Sequence, residues 1–388
     1  MESTIIHLNI ADFAVAVERC AQPGLKRRPL IIAPPGAARA VVYDMSEEAF
    51  QQGVRKGMPL GRATRICRDA TVLPPMTQRY ELAMRDLIKR TLAYSPRVES
   101  GSDDGHLFVD VTGTSRLFGP PVDVAWRLNR EMKKDFSLDP VWSVASNKLV
   151  AKVATRLVKP VGEYIVGAGE EQSFLSPLPL GLIPGFSPKD LVRFKEFNLT
   201  RVSQVRALDA HQLEIVFATR ATLIFELVRG VDRSPVLTAH EDQTIQEDYE
   251  FADDTNRASV LKQALYLMIE RVCRRLRSMS RHSAGMRLIL FYTDGIRHDG
   301  NLRLHTPTDT DMQMFEACQV LLAKTWKRRT RIRHMRLICT RTTPCQTQMS
   351  LFPADPKPAR QQGLIAAMDR IRDRFGDNAV MPALALPA

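Results

Sequence analysis

The chain is poor in cysteine: six in 388 residues, at Cys20, Cys67, Cys273, Cys318, Cys339 and Cys345, with no Cys-x-x-Cys pair among them. That spacing argues against structural zinc and against a disulfide framework, and sparse thiols fit a reducing compartment. No apolar run reaches the roughly 20 residues that a membrane helix needs. Met1-Glu2-Ser3-Thr4 lacks the basic lead-in of a secretory signal, so a soluble, cytoplasmic protein is expected. No long internal repeat is present. Acid is also in deficit, with 43 Asp and Glu against 55 Lys and Arg, a net charge of +12. Such an excess points to an anionic partner, nucleic acid first, with a basic protein lacking any polyanion as the alternative. What remains is ordinary: 44% hydrophobic and 25% charged residues can bury cores in roughly two to four domains.

Local patterns alternate between strand and helix in the first part of the chain. Residues 5–10 are β-branched and apolar and read as a strand, and 12–20 read as a helix. Pro34-Pro35-Gly36 marks a turn, 47–52 a helix stopped by Gly53, and Leu82, Leu87 and Leu92 a helix over 80–95. Asp104-Gly105 is a hairpin turn between Val98 and 107–111. A helix at 121–134, a strand at 141–145 and a helix at 147–158 follow, which predicts an α/β or α+β core. A Pro/Gly-rich connection at 177–185 leads to short helices at 188–197, 209–217 and 222–229, then to a polar linker near 233–243. Beyond it, a helix at 260–279 and strands at 285–293, 302–306 and 332–340 predict a second α/β module. A late helix at 364–375 carries Leu364, Met368, Ile371 and Phe375 at helical spacing, to dock on its own protein or on a partner.

Four segments carry a family likeness: 7–18 (HLNIADFAVAVE), 53–59 (GVRKGMP), 146–154 (SNKLVAKVA) continuing to Lys159-Pro160-Val161-Gly162, and Ile183-Pro184-Gly185-Phe186. In this order they resemble the Y-family of translesion DNA polymerases over nearly the whole chain. The resemblance implies an α+β right-hand architecture: palm at 1–22 and 75–165, fingers at 23–74, and a helix-hairpin-helix thumb at 166–235. A linker at 236–245, a little finger at 246–343 and a clamp-binding tail at 344–388 complete it. Ser187 stands where the family's thumb motif usually has a second glycine.

Phosphoryl transfer by a polymerase needs metal ions held by carboxylates. The resemblance places Asn9 and Ala11 at the first-strand ligand positions, and Gly105 and His106 at the hairpin positions. A shift of one residue would keep Asp104 as a fallback ligand. Ala14 stands at the sugar gate, and Glu47 and Phe50 where the family grips the triphosphate. On these grounds the chain is expected not to be an enzyme and to need no metal or other cofactor, resembling the inactive ImuB branch of a bacterial mutagenesis cassette. The alternative is an active error-prone DNA polymerase with displaced ligands, which would need Mg²⁺. A site built from Asp12, Asp103, Asp104 and Asp110 is disfavoured, because Asp12 falls out of phase with Asn9 and Ala11 and Asp103-Asp104 supply turn chemistry.

Lys148, Lys152 and Lys159, spaced four and seven apart, share a helical face that either touches phosphate or is simply solvated. Eight Lys and Arg residues without an acid lie between Lys324 and Arg341. Arg329, Arg331 and Arg333 share one face if a strand runs over 329–337, and with Arg336 they are expected to contact the DNA backbone. Gln348-Met349-Ser350-Leu351-Phe352 looks like the Gln-x-Ser/Asp-Leu-Phe peptide that bacterial proteins insert into the sliding clamp, with Leu351 and Phe352 filling an apolar pocket. The resulting reading is a non-catalytic adaptor in translesion synthesis and SOS mutagenesis. Its implied partners are damaged or primer–template DNA, the sliding clamp, an error-prone C-family polymerase and a RecA-like accessory protein, with no membrane. A DNA-binding factor unrelated to the clamp is the third possibility.

Overall fold

A strand reading Ile-Ile-His-Leu-Asn has little to offer water on either face. β1 (Ile5–Asn9) is accordingly buried at every residue, in the middle of a five-stranded sheet. The computed structural model describes residues 3–26, 28–34, 39–101, 104–238, 245–345, 356–375 and 379–380, in two units, Met1–Asp242 and Gln243–Ala388. The clamp-like peptide at 348–352 and Asp103 lie outside the described residues.

In the first unit β1 leads into α1 (Phe13–Ala21). A small sheet follows, built from β2 (Leu30–Ile32), β3 (Asp44–Met45) and, after α2 (Glu47–Gln51) and α3 (Leu60–Ile66), β4 (Thr71–Leu73). α4 (Thr77–Thr91) returns to a hairpin of β5 (Val98–Ser100) and β6 (His106–Asp110). Then come α5 (Ser115–Phe118), α6 (Pro121–Phe136), β7 (Val141–Ala145), α7 (Lys148–Val158) and β8 (Glu163–Ile165). The large sheet runs β5-β6-β1-β7-β8, with β1 antiparallel to both neighbours. Alternation along β1 sorts its side chains between two layers. Ile6 and Leu8 join Val15, Leu87, Leu128 and Met132 under α1, α4 and α6, while His7 turns to α7. Asn147 caps α7, its side chain accepting from the Val150 N–H at 3.0 Å.

The remainder of this unit is helical: α8 (Glu171–Leu175), α9 (Pro188–Glu196), α10 (Val202–Arg206), α11 (Ala210–Phe217) and α12 (Ala221–Leu227). Their core of Phe194, Val205 and Ile224 is continuous with Leu149 and Val153 of α7. Gly185 has φ +97°, and a Cβ there would meet Leu227 Cδ1 at 3.0 Å, so this turn needs glycine. Ser187 has a different task. It forms a capping box with Asp190, bonds of 3.1 and 2.7 Å, that starts α9.

The second unit comprises β9 (Gln246–Thr255), α13 (Ala258–Ser278), β10 (Arg281–Tyr292), β11 (Arg297–Thr308), α14 (Asp311–Thr325), β12 (Ile332–Pro344) and α15 (Pro356–Phe375). Its antiparallel sheet runs β11-β10-β12-β9, and α13 and α14 pack Leu265, Ile269 and Phe315 against Leu288 and Leu337. α15 is the late helix, begun earlier than its apolar spacing showed, and it packs on its own module. Arg277 of α13 donates to Asp369 at 2.7 Å, and Arg372, 2% exposed, donates to Glu270 at 2.8 Å. Leu364 and Ile371 of α15 remain exposed.

Candidate nucleic-acid interface

The centre of the large sheet brings Asn9, opposite His106 on β6, to the end of β1. Both polar atoms of the Asn9 amide are buried and have no partner among the described residues. The hairpin closes onto this end of the strand, the Ile10 N–H donating to the Gly105 carbonyl at 3.0 Å. Gly105 has φ +78°, and a Cβ there would lie 2.9 Å from Phe13 Cβ and 3.0 Å from the Ile10 oxygen. Asp104 Oδ1 accepts from the His106 N–H at 3.2 Å, the turn role assigned to it from sequence.

Beside Asn9 runs a line of polar groups. Thr155 Oγ1 donates to the Lys152 carbonyl at 3.0 Å, so His7 Nδ1, 2.7 Å away, must donate to that hydroxyl. His7 Nε2 is then the acceptor for His106 Nδ1 at 3.0 Å. Burial holds His7 well below the ordinary histidine value, with His106 and the cations Lys152, Lys159 and Arg156 adding to it. Burial likewise pushes His106 down to about 4, Asp104 opposing and the same cations reinforcing. Both imidazoles are neutral near pH 7.

The three candidate lysines do not act alike. Lys148 is engaged by Glu99 at 2.8 and 3.0 Å, and Glu99 also accepts from the Leu237 N–H at 2.8 Å. Lys152 and Lys159 make no hydrogen bond or ion pair among the described residues. Arg156, overlooked in the sequence, joins them and donates to the Leu182 carbonyl at 2.8 Å. Crowding by protein atoms lowers the Lys152 pKa first, then repulsion from Arg156. Lys159, at the more open end of α7, is lowered by burial and by repulsion from Lys56 and then Arg156, while Asp12 and Asp104 offset part of the shift.

Asp12 departs from its expected direction. It takes a left-handed conformation, φ 47°, which breaks the strand's alternation and turns its carboxyl into the field of Asp44 and Lys159. Burial and then repulsion from Asp44 raise its pKa to about 6, with Lys56 opposing. Asp44, another residue without a sequence signal, accepts from the Ala14 N–H at 3.0 Å and pairs with Lys56 at 2.9 Å. Asp110 is remote from this group. It stands opposite Ile5, at the other end of β1 from His106, and bonds Arg97.

These placements decide which groups fit a divalent ion. Asn9, Ala11, Gly105 and His106 offer a neutral amide, a methyl, no side chain and an imidazole among cations, and do not fit one. The carboxylates at hand are Asp12, beside Asp44, and Asp104, near Lys159. Among the described residues no three His, Cys, Asp or Glu side chains gather into a metal-holding group.

In the second unit the expected basic face over 329–337 does not form as one strand. β12 begins at Ile332 and its register shifts between Ile332 and His334, leaving Arg329 and Arg331 in the preceding loop. Arg333 and Arg336 are paired across the sheet edge, with Glu250 at 3.4 Å and Asp248 at 2.7 Å. The side chains of Arg329 and Arg331 have no ion pair among the described residues.

Comparison with known proteins agrees with this fold. The impB/mucB/samB family matches residues 8–156, and its C-terminal domain matches 243–351. A protein of Desulfatibacillum aliphaticivorans named DNA polymerase IV is 30% identical over 385 residues, 98% of this chain and 96% of that one. A DNA polymerase IV of Caulobacter vibrioides is 29% identical over 384 residues, 99% and 94% of the two chains. A Y-family DNA polymerase chimera of Dbh and Dpo4 superposes with a TM-score of 0.77 at 19% identity, covering 88% of this chain and 99% of its own. DinB from Sulfolobus solfataricus gives 0.63, also at 19%, over 87% and 98%. No helix among the described residues is long and apolar enough to cross a membrane. The expectation that the chain is not an enzyme is overturned by these relatives, which carry a polymerase's name and match along nearly its whole length. They favour the polymerase alternative over the adaptor. The chain belongs to the Y-family of DNA polymerases, the impB/mucB/samB family.

Proposed function

We propose that this protein works on primer–template DNA in translesion synthesis, as an error-prone DNA-directed polymerase whose metal-binding oxygens have been displaced from the family positions. The observation that carries this reading is the arrangement around Lys159: a cation without an ion-pair partner among the described residues, in the field of both Asp12 and Asp104 and of the cations Lys56 and Arg156. Cations left unpaired over a buried sheet end suit phosphate oxygens. Asp12 and Asp104 are the carboxylates nearest these cations, but among the described residues they are not joined by a third acid in a metal-holding group. Asp44 is already engaged by the Ala14 N–H and Lys56, so these residues do not by themselves make a site for Mg²⁺ or Mn²⁺. The chain's own contribution is to place phosphates with Lys152 and Lys159 and to keep the His7–His106 pair uncharged beneath them.

Primer extension with Mg²⁺ or Mn²⁺ tests the reading. Template-dependent incorporation that is lost in Asp104→Ala or Asp12→Ala supports it. DNA binding without any incorporation by the unmodified chain sinks the polymerase assignment.

The peptide at Gln348–Phe352 supports delivery by a bacterial sliding clamp, in the cytoplasm. Replacing Leu351 and Phe352 with Ala should abolish clamp pull-down, and undiminished capture would count against it. The residues at positions 9, 11 and 105 resemble those of the ImuB-like branch, a likeness we carry over to partners and control and not to its lack of activity. That likeness implies SOS control and contacts with an error-prone C-family polymerase and a RecA-like protein, each testable by co-purification.

A further inference from the structure

Between the end of α14 and the start of β12 the second unit has a shallow pocket of about 380 Å³, lined by Asn256, Trp326, Lys327, Arg328 and Arg329. Its lining is rich in donors. Trp326 Nε1 and Arg328 Nη1 are buried without a partner among the described residues, and Lys327 and Arg329 form no ion pair among them. Arg328 Nη2 pairs with Asp294 at 2.6 Å, and the guanidinium lies over the Tyr292 ring, 5.3 Å from its centre. The Asn256 amide donates to the Arg329 carbonyl at 3.3 Å, which leaves its own oxygen as a lone side-chain acceptor in the lining. The Trp326 indole packs on the core yet keeps part of its surface exposed.

Trp326 Nε1 and Arg328 Nη1 lie below the surface, so recognition falls to the exposed Lys327 and Arg329 and to the accessible part of the indole ring. The complementary ligand carries anionic oxygens together with a flat ring that can pack on the indole. An acidic peptide satisfies the cations but offers the indole no ring. A nucleotide satisfies both, and its base is free to reach the indole only when unpaired and unstacked.

We propose that this pocket holds one unpaired nucleotide of single-stranded DNA, its base against Trp326 and its phosphate on Lys327 and Arg329. The proposal rests on the DNA-binding reading above and specifies the state of the strand.

Fluorescence anisotropy of the full chain with a labelled oligothymidylate, and with a blunt duplex of equal length at the same salt, tests it. Trp326→Ala should weaken the single strand about tenfold and the duplex less than about twofold, while Trp326→Phe retains most of the affinity. Lys327→Glu, at an exposed position, should weaken single-strand binding and flatten its salt dependence. Should Trp326→Ala not fold, the Phe and Glu variants carry the test. Equal losses on both DNAs overturn the pocket, as does undiminished single-strand binding in Trp326→Ala or Lys327→Glu. So does competition by polyglutamate that depends equally on Trp326. A wild-type chain that binds neither DNA sinks the DNA-binding reading itself.

Discussion

His7 Nε2 lies 3.0 Å from His106 Nδ1, across two neighbouring strands, with their near-parallel rings 5.2 Å apart. Protonating His7 would place a second donor against the His106 Nδ1–H, whereas His106 would take its extra proton on Nε2, where burial and the neighbouring cations oppose it. Three cations, Lys152, Arg156 and Lys159, reinforce the neutrality of both rings.

Stability should therefore depend on this pair in mild acid. Folded pKa values below the unfolded histidine value mean that the unfolded chain binds more protons as pH falls. The pair's contribution is complete above about pH 6.5 and is lost as pH falls toward about 4, where His106 titrates when folded. Asp12 acts in the opposite sense, because its folded value of about 6 lies above that of an unfolded carboxyl. The informative quantity is thus the difference between wild type and His106→Phe. Thermal unfolding from pH 7.5 to 4.5 should show the wild type losing on the order of 2 kcal/mol more than the variant. Parallel curves would show that the pair is not the source.

The α7 lysines should separate by readout. Lys152→Ala and Lys159→Ala are each expected to weaken DNA binding several-fold at low salt, and to reduce the log–log salt slope by about 1. Lys148→Ala leaves Glu99 half-satisfied by the Leu237 N–H, so it should cost about 1–2 kcal/mol of stability and leave the slope nearly unchanged. Salt titrations and urea unfolding on all three variants check the division. A Lys148 variant with normal stability and a reduced slope would reverse it.

The contrast among these lysines shows where the sequence is legible and where it is not. Helical spacing alone places Lys148 and Lys152 on α7, because β1, β7 and the α7 apolar face are patterned locally. It does not reveal that Glu99, 49 residues away, takes Lys148. β9 is invisible for a related reason. Its sequence, QEDYEFADDT, reads as polar until the arginines of β12 lie beside Asp248 and Glu250. Those same ion pairs remove Arg333 and Arg336 from the free basic face that a run of arginines suggests. Asp12 is misdirected by one left-handed residue, which a period-two argument does not anticipate.

The hairpin position 105 should refuse a side chain. Gly105→Asp combines a positive φ with a Cβ closer than 3.0 Å to Phe13 Cβ, and the backbone oxygen of Ile10 leaves it no direction to relax. A loss of roughly 1–3 kcal/mol is expected from these terms. Asp104→Ala, one residue away and exposed, should stay within about 1 kcal/mol of wild type, since it gives up one turn hydrogen bond. Denaturant midpoints decide this, and a Gly105→Asp variant as stable as wild type would mean that the hairpin can move away from β1.

The charged seam under α15 should be the most sensitive part of the second unit. Arg372 is almost wholly buried on Glu270, and Arg277 joins Asp311 at 2.8 Å to Asp369 at 2.7 Å. Removing one member of a buried pair leaves an uncompensated charge, so Arg372→Ala should cost roughly 3–5 kcal/mol. Replacing both members, in Arg372→Met with Glu270→Leu, removes the charge along with the pairing and should recover most of that loss. Asp369→Asn keeps the shape and weakens the pairings with Arg277 and, at 3.9 Å, with Arg372, while Glu270 still holds Arg372, so its effect should be smaller. Proteolysis after 344 and urea unfolding on the full chain read the same equilibrium from two sides. If the double variant is no more stable than Arg372→Ala alone, α15 is held by its packing and not by these charges.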